Sequence, residues 1–414
     1  MTSNKPIVIV GAGQAGARAA LALRAQGWNG PVLLIGQEPH APYERPALSK
    51  QALLDAATSL SWVAPVEDYA AQRIELRLGT RVLALDAQAR SIELQAGDGP
   101  AERIGYDRLL LATGGSARRL AIPGSDDERV LYLRDAADAR RLAARLRPGA
   151  RLAVVGGGFI GLEVAASARQ RGCEVTVLEA GTGVLGRAAP ASLAALVQAL
   201  HARHGVKLRL GDAPLAFEGL PDQVLVQLGS GGLLGVDAVL MGVGMMPNVA
   251  LARAAGLRVN RGIVVDERLQ ASAPGIYAAG DVCEYPDADG AGTVLMESWA
   301  NAEATGSHVA ASMLGAVLPY RPVPWMWSDQ YDHAFQRVGR CGAADRVVTR
   351  EISGGRMEFY LGADGRLVGA AGFAPASSLA RAFLVARKLV EARPCLPPTG
   401  LADPDVPLKS LLNR

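Results

Sequence analysis

This 414-residue chain contains two glycine clusters with the same spacing. Their residues could bind nucleotide phosphates. Each follows a short β-branched run and has the spacing Gly-x-Gly-x-x-Gly ahead of an alanine-rich segment. The two sets are Gly11, Gly13 and Gly16, and Gly156, Gly158 and Gly161. In this motif the first glycine permits a tight turn, the second lets the backbone approach a pyrophosphate, and the third lets helix and strand pack closely. The pattern predicts two dinucleotide sites; the alternative is a pair of flexible turns.

An acidic residue follows each cluster by about 20 residues, the distance typical of a ribose-binding carboxylate. These residues are Glu38 and Glu179. Each could accept a hydrogen bond from an adenosine 2′-hydroxyl, and its charge would disfavour a 2′-phosphate. We therefore expect the second site to take NADH rather than NADPH. For either acid, the alternative is an ordinary surface carboxylate.

Two dinucleotide sites in one chain suggest one bound redox cofactor and one that diffuses. FAD with NAD(P)H is the commonest pairing. Asp281 follows an apolar run and Gly280, a position from which a carboxylate could accept a hydrogen bond from the ribityl chain of a flavin. An Asx turn in a loop is the alternative reading.

The cysteines are too scattered to form a redox pair. Cys173, Cys283, Cys341 and Cys395 show no CxxC, zinc or iron–sulfur spacing. Residues 38–54, where a disulfide-reducing flavoenzyme would need its pair, contain no cysteine. A reduced flavin would therefore have to pass its electrons to an acceptor outside the chain.

No metal site is expected. His201 and His204 have the three-residue spacing of metal ligands on a predicted helix. Because no third ligand is near in sequence, we expect them to be a pair of surface histidines.

Apolar runs that end in small residues place these motifs at the edges of sheets, where a ligand can cross the carboxyl ends of strands. One such run, 238–241, leads into Gly242-Val-Gly244, which makes Gly244 a candidate cofactor contact. Further strands are predicted at 7–10, 32–35, 108–112, 175–178 and 275–279.

The predicted fold class is α/β, with two doubly wound Rossmann-like domains and a small α+β C-terminal domain. The FAD-binding domain would comprise residues 1–113 and 242–318, and the NAD-binding domain residues 114–241. A proline-rich stretch after residue 318 suggests a C-terminal interface domain at 319–414. Its strands are predicted at 347–352, 357–361 and 366–370, and its helix at 377–392.

Composition excludes several classes of function. The chain is 50% hydrophobic and carries a formal net charge of +3, so neither disorder nor an extended nucleic-acid surface is indicated. No apolar run is long enough to span a membrane. The early start of the first strand leaves no room for a signal peptide, and the scattered cysteines favour a cytoplasmic location.

Several sequence motifs together resemble the FAD-dependent NADH:ferredoxin (or rubredoxin) reductases of bacterial oxygenase systems, the putidaredoxin reductase type with a glutathione-reductase-like fold. The resemblance spans nearly the whole chain. The motifs are GAGQAG at 11–16, PYERPALSK at 42–50, LLLATGG at 109–115, GGGFIGLEVA at 156–165, GVGMMPN at 242–248, YAAGDV at 277–282, ESWANA at 297–302 and PWMWSDQYD at 324–332.

The resemblance implies a ferredoxin–NAD(+) reductase that passes electrons from NADH through FAD, one at a time, to a [2Fe–2S] ferredoxin or a rubredoxin. It also implies a set of FAD-lining residues and a catalytic Lys50–Glu163 pair beside the reactive nitrogen of the flavin. The alternatives for this pair are a solvated lysine and an exposed helix carboxylate. The implied FAD-lining residues are Ala15, Gln37, Lys50, Val82, Arg134, Asp281 and Trp299.

Some features leave alternatives open. Trp299 could pack on the isoalloxazine edge or only fill a domain seam, and Trp325 and Trp327 could be core residues or lie at the flavin edge. The segment 301–314 lacks the basic residue that the family usually has there, which puts the partner-docking pattern of the family in doubt. Arg337, Arg340 and Lys409 could contact an acidic ferredoxin, although solvated side chains are the simpler reading.

The function and the oligomeric state have alternatives as well. Rival functions are an NADH oxidase of the same fold and a redox-responsive NADH-binding protein like apoptosis-inducing factor. The chain could be a monomer or a homodimer.

Overall fold

A computed structural model describes residues 5–55, 59–288, 290, 292–342 and 346–413. The strands are β1 (Ile7–Val10), β2 (Val32–Ile35), β3 (Ile74–Arg77), β4 (Thr80–Asp86), β5 (Ser91–Ala96), β6 (Glu102–Gly105), β7 (Arg108–Leu111), β8 (Gly115–Ala117), β9 (Val130–Leu131), β10 (Arg151–Val155), β11 (Glu174–Glu179), β12 (Lys207–Leu210), β13 (Pro214–Gly219), β14 (Val224–Leu228), β15 (Leu233–Val236), β16 (Ala238–Met241), β17 (Met245–Pro247), β18 (Ile263–Val264), β19 (Ile276–Ala278), β20 (Cys283–Pro286), β21 (Thr293–Leu295), β22 (Trp325–Gln330), β23 (His333–Gly339), β24 (Arg346–Ile352), β25 (Gly355–Leu361) and β26 (Leu367–Pro375).

The helices are α1 (Gln14–Ala25), α2 (Gln51–Leu54), α3 (Val66–Ala71), α4 (Ala136–Arg145), α5 (Phe159–Gln170), α6 (Ala191–Arg203), α7 (Ala250–Ala254), α8 (Trp299–Met313), α9 (Ala376–Ala392) and α10 (Pro398–Ala402). Within the described ranges, none of them combines the length and the apolar character needed to cross a membrane.

The chain divides into two compact units, each built from separate stretches of sequence. The first unit contains Met1–Arg45, Leu60–Ser116 and Met245–Pro322. The second contains Pro46–Ser59, Ala117–Gly244 and Val323–Arg414. The division into FAD, NAD and C-terminal domains at residues 113, 241 and 318 stays a prediction.

The first unit contains a parallel sheet of order β19-β7-β1-β2-β3. Ile7 in β1 lies opposite Val32 on one side and Arg108 on the other. Every residue of β1 is buried, which is what a parallel sheet covered on both faces requires. Helices α1 and α8 pack closely because α8 has a glycine, Gly306, where a Cβ would come within 2.4 Å of the Ala15 carbonyl oxygen.

The second unit contains another parallel sheet, of order β12-β11-β10-β16-β9, together with an antiparallel sheet of order β22-β23-β26-β25-β24. Helix α9 covers the antiparallel sheet with Leu379, Phe383 and Ala386, which recur at the spacing of one helix face. The predicted fold class, two doubly wound sheets and an α+β C-terminal part, is confirmed.

In the C-terminal part, the three predicted strands and the predicted helix all form, with shifted boundaries. Strands β22 and β23 were not predicted. Because β22 directly follows Pro324 and carries two tryptophans, its sequence resembled a linker. Its pairing with β23 begins at Trp325, opposite Val338.

Candidate functional site

The first glycine cluster links β1 to α1 with the geometry of a phosphate cradle. Gly11 has a φ of +114°, and a Cβ there would lie 2.1 Å from the carbonyl oxygen of Ala112. A Cβ on Gly16 would lie 1.9 Å from the carbonyl oxygen of Gly11. A Cβ on Gly13 would meet nothing within 4 Å. Gly11 and Gly16 are therefore needed because a side chain there would clash with the backbone. Gly13 instead faces open space at the start of helix α1, whose free N–H groups can bind an anion.

The second cluster, between β10 and α5, repeats this geometry. Gly156 has a φ of +102°, and its Cβ would lie 2.4 Å from the carbonyl oxygen of Gly242. A Cβ on Gly161 would lie 2.2 Å from the carbonyl oxygen of Gly156, whereas one on Gly158 would meet nothing within 4 Å. Neither α1 nor α5 begins with a side-chain cap. Both sites therefore fit a dinucleotide pyrophosphate.

Glu179 at the end of β11 lies against the second cluster. Its carboxylate accepts hydrogen bonds of 2.7 Å from the backbone N–H groups of Gly157 and Gly181. Since a carboxylate has about four lone-pair sites, Glu179 can hold the loop and still accept a bond from a ribose hydroxyl.

Glu38 lies beyond β2 in the first unit. It accepts hydrogen bonds from the Tyr43 hydroxyl at 2.5 Å and from Arg45 at 2.6 Å. These two partners therefore orient the carboxylate, and any ribose bond would share it with them.

Asp281 follows Gly280 in a 3-10 turn at Gly280–Val282. Gly280 has a φ of +78°, its N–H donates to the Thr305 hydroxyl at 2.9 Å, and a Cβ there would lie 2.9 Å from the Cβ of Ala15. The turn therefore brings Gly280, the residue before Asp281, beside the start of α1. In the same unit, Gln37 follows β2, Val82 lies in β4 and Trp299 begins α8.

The other implied cofactor contacts lie in the second unit. Lys50 directly precedes α2, Arg134 directly precedes the N-cap of α4, and Gly244 follows β16 with a φ of +101°. The roles of all these residues in binding FAD or NAD stay predictions.

Lys50 and Glu163 form a buried ion pair in the second unit. Lys50 Nζ lies 3.1 Å from Glu163 Oε1, and the exposed fractions of the two side chains are 15% and 8%. Neither residue is therefore the solvated surface group that was the alternative reading.

Two serines that the sequence analysis did not single out complete the surroundings of Glu163. The Ser49 hydroxyl donates to Oε2 at 2.5 Å, and the Ser328 hydroxyl donates to Oε1 at 2.7 Å. The Ser167 hydroxyl in turn donates to the backbone carbonyl of Ser49 at 2.7 Å. A serine next to the PYERPALSK lysine was visible in the sequence, but Ser328 is 165 positions from Glu163 and gave no signal.

The expectation that His201 and His204 form a surface pair is wrong for His201. His201 is fully buried, and its Nε2 lies 2.8 Å from the side-chain oxygen of Gln330. Burial lowers the pKa of His201 to about 4, so the ring is neutral near pH 7. His204 is exposed and stacks on the Tyr331 ring at 3.7 Å. Within the described ranges, no group of histidine, cysteine and acidic residues is placed to hold a metal.

The cysteines of both units are thiols. Burial raises the pKa of Cys341 to about 12 and also raises that of Cys173. A thiol that stays protonated is a poor nucleophile. The contacts of Cys341 are the backbone carbonyls of Val338 and Ala370.

Trp325 and Trp327 stack on each other at 5.0 Å, and the Arg387 guanidinium lies 3.9 Å from the centre of the Trp325 ring. Trp325 packs against the C-terminal core.

Two known protein families match successive parts of the chain. Residues 5–306 match the family described as pyridine nucleotide-disulphide oxidoreductase, and residues 325–412 match the reductase C-terminal family. The chain is 42% identical to the ferredoxin–NAD(+) reductase component of the anthranilate 1,2-dioxygenase system of Burkholderia cepacia, over 99% of this chain and 100% of that one.

It is 39% identical to the corresponding component of the p-cumate 2,3-dioxygenase system of Pseudomonas putida, over 97% of each chain. The structure superimposes on putidaredoxin reductase from its covalent complex with putidaredoxin, with a TM-score of 0.92 and 36% identity over 100% of this chain and 99% of that one. The chain therefore belongs to the pyridine nucleotide-disulphide oxidoreductase family, among its ferredoxin–NAD(+) reductases.

Proposed function

We propose that this chain is a flavoprotein reductase that takes electrons from NADH through FAD and delivers them, one at a time, to a small iron–sulfur protein of an oxygenase system. The observation that carries this proposal is the presence of two glycine cradles of one geometry, one in each unit. The chain also matches reductase components of two dioxygenase systems over 99% and 97% of its length.

The first unit would hold FAD. Gly13 and the start of α1 would receive the pyrophosphate, Glu38 the adenosine ribose and Asp281 the ribityl chain. FAD, when bound, supplies acceptance of a hydride from NADH and release of single electrons. The protein contributes position and exclusion of water.

The second unit would hold NADH. Gly158 and the start of α5 would receive its pyrophosphate, and Glu179 its adenosine ribose. Because Glu179 is fixed by two backbone N–H groups, its charge cannot move away from a 2′-phosphate. This supports NADH over NADPH.

The Lys50–Glu163 pair would hold a proton at Lys50 Nζ. Glu163 accepts from Lys50, Ser49 and Ser328, so its carboxylate is satisfied as an anion. Lys50 also donates to the Pro46 carbonyl at 3.2 Å. These two contacts orient the ammonium group.

The proposed acceptor is a [2Fe–2S] ferredoxin, with rubredoxin as the other candidate. The relatives named above are ferredoxin–NAD(+) reductase components. Of the cations considered for docking, Arg337 donates to the Ala188 carbonyl at 3.0 Å, while Lys409 is exposed.

The test is cytochrome c reduction by NADH with and without an added [2Fe–2S] ferredoxin or rubredoxin. We expect strong stimulation by at least one iron–sulfur protein and a weaker response with NADPH. If none stimulates and oxygen consumption matches NADH consumption, the oxidase of the same fold is the correct function.

A further inference from the structure

A line of buried side chains connects Glu163 to His201 through strand β22. Ser328 and Gln330 are two residues apart in β22, so they lie on the same face of the strand. Gln330 Nε2 lies 3.1 Å from Ser328 Oγ, and Gln330 Oε1 lies 2.8 Å from His201 Nε2. Each of these four residues, taken with its backbone, is at most 7% exposed. We call Ser328, Gln330 and His201 the β22 relay.

The chemistry of the groups fixes the direction of every hydrogen bond in the β22 relay. An ionised carboxylate only accepts, so the single hydroxyl proton of Ser328 goes to Glu163. The lone pairs of Ser328 Oγ must then accept from the Gln330 amide. This leaves Gln330 Oε1 as an acceptor, and His201 must donate to it through Nε2–H.

If the Gln330 amide had the opposite orientation, its oxygen would face Ser328 Oγ. The only hydroxyl proton of Ser328 is already donated to Glu163, so the two oxygens could not form a hydrogen bond. The ionised state of Glu163 therefore selects one amide orientation and one histidine tautomer. His201 Nδ1 is left without a proton and has no hydrogen-bond partner among the described residues.

We propose that Ser328, Gln330 and His201 are positioning residues that hold the Glu163 carboxylate as an oriented, ionised acceptor and so fix Lys50 Nζ. Glu163 Oε1 receives both Lys50 and Ser328. Loss of the Ser328 hydroxyl would remove one of these two partners of Oε1 and let the Glu163 carboxylate rotate. The link from this geometry to catalysis rests on the proposed function of the Lys50–Glu163 pair.

The first test uses ¹⁵N NMR of the histidine rings in the FAD-loaded protein near pH 7. The chain has 5 histidines, which through-bond experiments can assign. We expect His201 to be a single tautomer with its proton on Nε2. A proton on Nδ1 would overturn the proposal without the need for any variant.

Ser328→Ala should release the amide of Gln330 and give His201 a mixture of tautomers, while Ser328→Thr, which keeps the hydroxyl, should restore the single form. The matched control is Ser192→Ala, since Ser192 also donates to a glutamate, Glu358, in the same unit but lies outside the β22 relay. An unchanged His201 spectrum in Ser328→Ala, or an equal change in the control, would contradict the proposal.

The second test measures flavin reduction by NADH in single turnover, together with the midpoint potential of the bound FAD. We expect Ser328→Ala to slow reduction about fivefold, in the range for losing one typical hydrogen bond, with partial recovery in Ser328→Thr. Lys50→Met should have a larger effect of the same kind.

If Lys50→Met changes neither the rate nor the potential, the catalytic role of the Lys50–Glu163 pair is wrong. The tautomer of His201 still decides separately whether the β22 relay exists. If Lys50→Met acts and Ser328→Ala does not, the positioning role is wrong.

Discussion

Glu179 accepts a 2.7 Å hydrogen bond from the backbone N–H of Gly157, which lies inside the second glycine cluster. The acid proposed to bind the ribose therefore also holds the loop proposed to bind the pyrophosphate. Both functions depend on a single carboxylate.

Glu179→Ala should weaken NADH use and reduce discrimination against NADPH. We expect kcat/KM for NADH to fall at least tenfold, because a ribose contact and a loop support are both lost, and the NADPH/NADH ratio to rise. Steady-state kinetics with both nucleotides measure this. Glu174→Ala, an exposed change at the other end of β11, is the control. A Glu179→Ala variant that keeps its preference for NADH would contradict the assignment.

Gly158→Ala and Gly161→Ala should separate nucleotide binding from folding. At Gly158 a methyl group meets no protein atom within 4 Å, so we expect an unchanged Tm and a KM for NADH raised about tenfold. At Gly161 the methyl group would lie 2.2 Å from a backbone oxygen, and we expect a loss of about 2 kcal/mol in the free energy of unfolding. Thermal denaturation and NADH titration measure the two effects. Equal effects of the two changes would show that position 158 does not face the nucleotide.

Lys50→Met should slow flavin reduction by NADH about tenfold or more, since the buried Glu163 would lose its cationic partner. Stopped-flow absorbance of the flavin measures the rate. The matched control is Lys207→Met, which breaks a lysine–glutamate pair whose side chains are 73% and 61% exposed and which should leave the rate unchanged. Similar rates for the wild type and Lys50→Met would remove Lys50 from the mechanism.

The stability of the protein should fall in acid partly through Glu284. Burial by itself would raise the pKa of this carboxyl, but hydrogen bonds from Thr293, Gly262 and Arg261 outweigh burial and lower it from 4.5 to about 2. Because the folded pKa is below the unfolded one, this contribution is present above about pH 4.5 and is lost as the pH falls toward 2.

Urea unfolding at several pH values between about 5 and 3 tests this. Glu284→Gln should be less stable at the upper end and lose less stability on acidification than the wild type. Glu267→Gln, which changes an exposed carboxylate 3.9 Å from Arg321, should follow the wild-type slope. Parallel slopes for Glu284→Gln and the wild type would exclude Glu284 as a source of acid sensitivity.

Several strands of the two parallel sheets could be predicted because their signal is local. Strands β1, β2 and β16 have the predicted boundaries, since a continuous apolar run followed by glycine marks the end of a buried parallel strand. Strand β22 could not be predicted, because its first three residues include two tryptophans and directly follow a proline-rich stretch.

The candidate site was predictable only where motifs carried it. Lys50 and Glu163 came from motifs, and the structure brings them together. His201 was misjudged because its environment is made by Gln330, which is 129 positions away, and spacing along one helix contains no information about such a partner. Burial then decides the chemistry, since a desolvated imidazole is held neutral.

The matching positions of Gly13 and Gly158 in their two cradles have a practical consequence. In the proposed function, one added methyl group would weaken the binding of FAD at Gly13 or of NADH at Gly158, and at neither position would it meet a protein atom within 4 Å. The two single-site variants would thus be impaired at two different steps of one electron path. One would bind NADH normally but hold FAD weakly, and the other would hold FAD but need a higher concentration of NADH to reduce it.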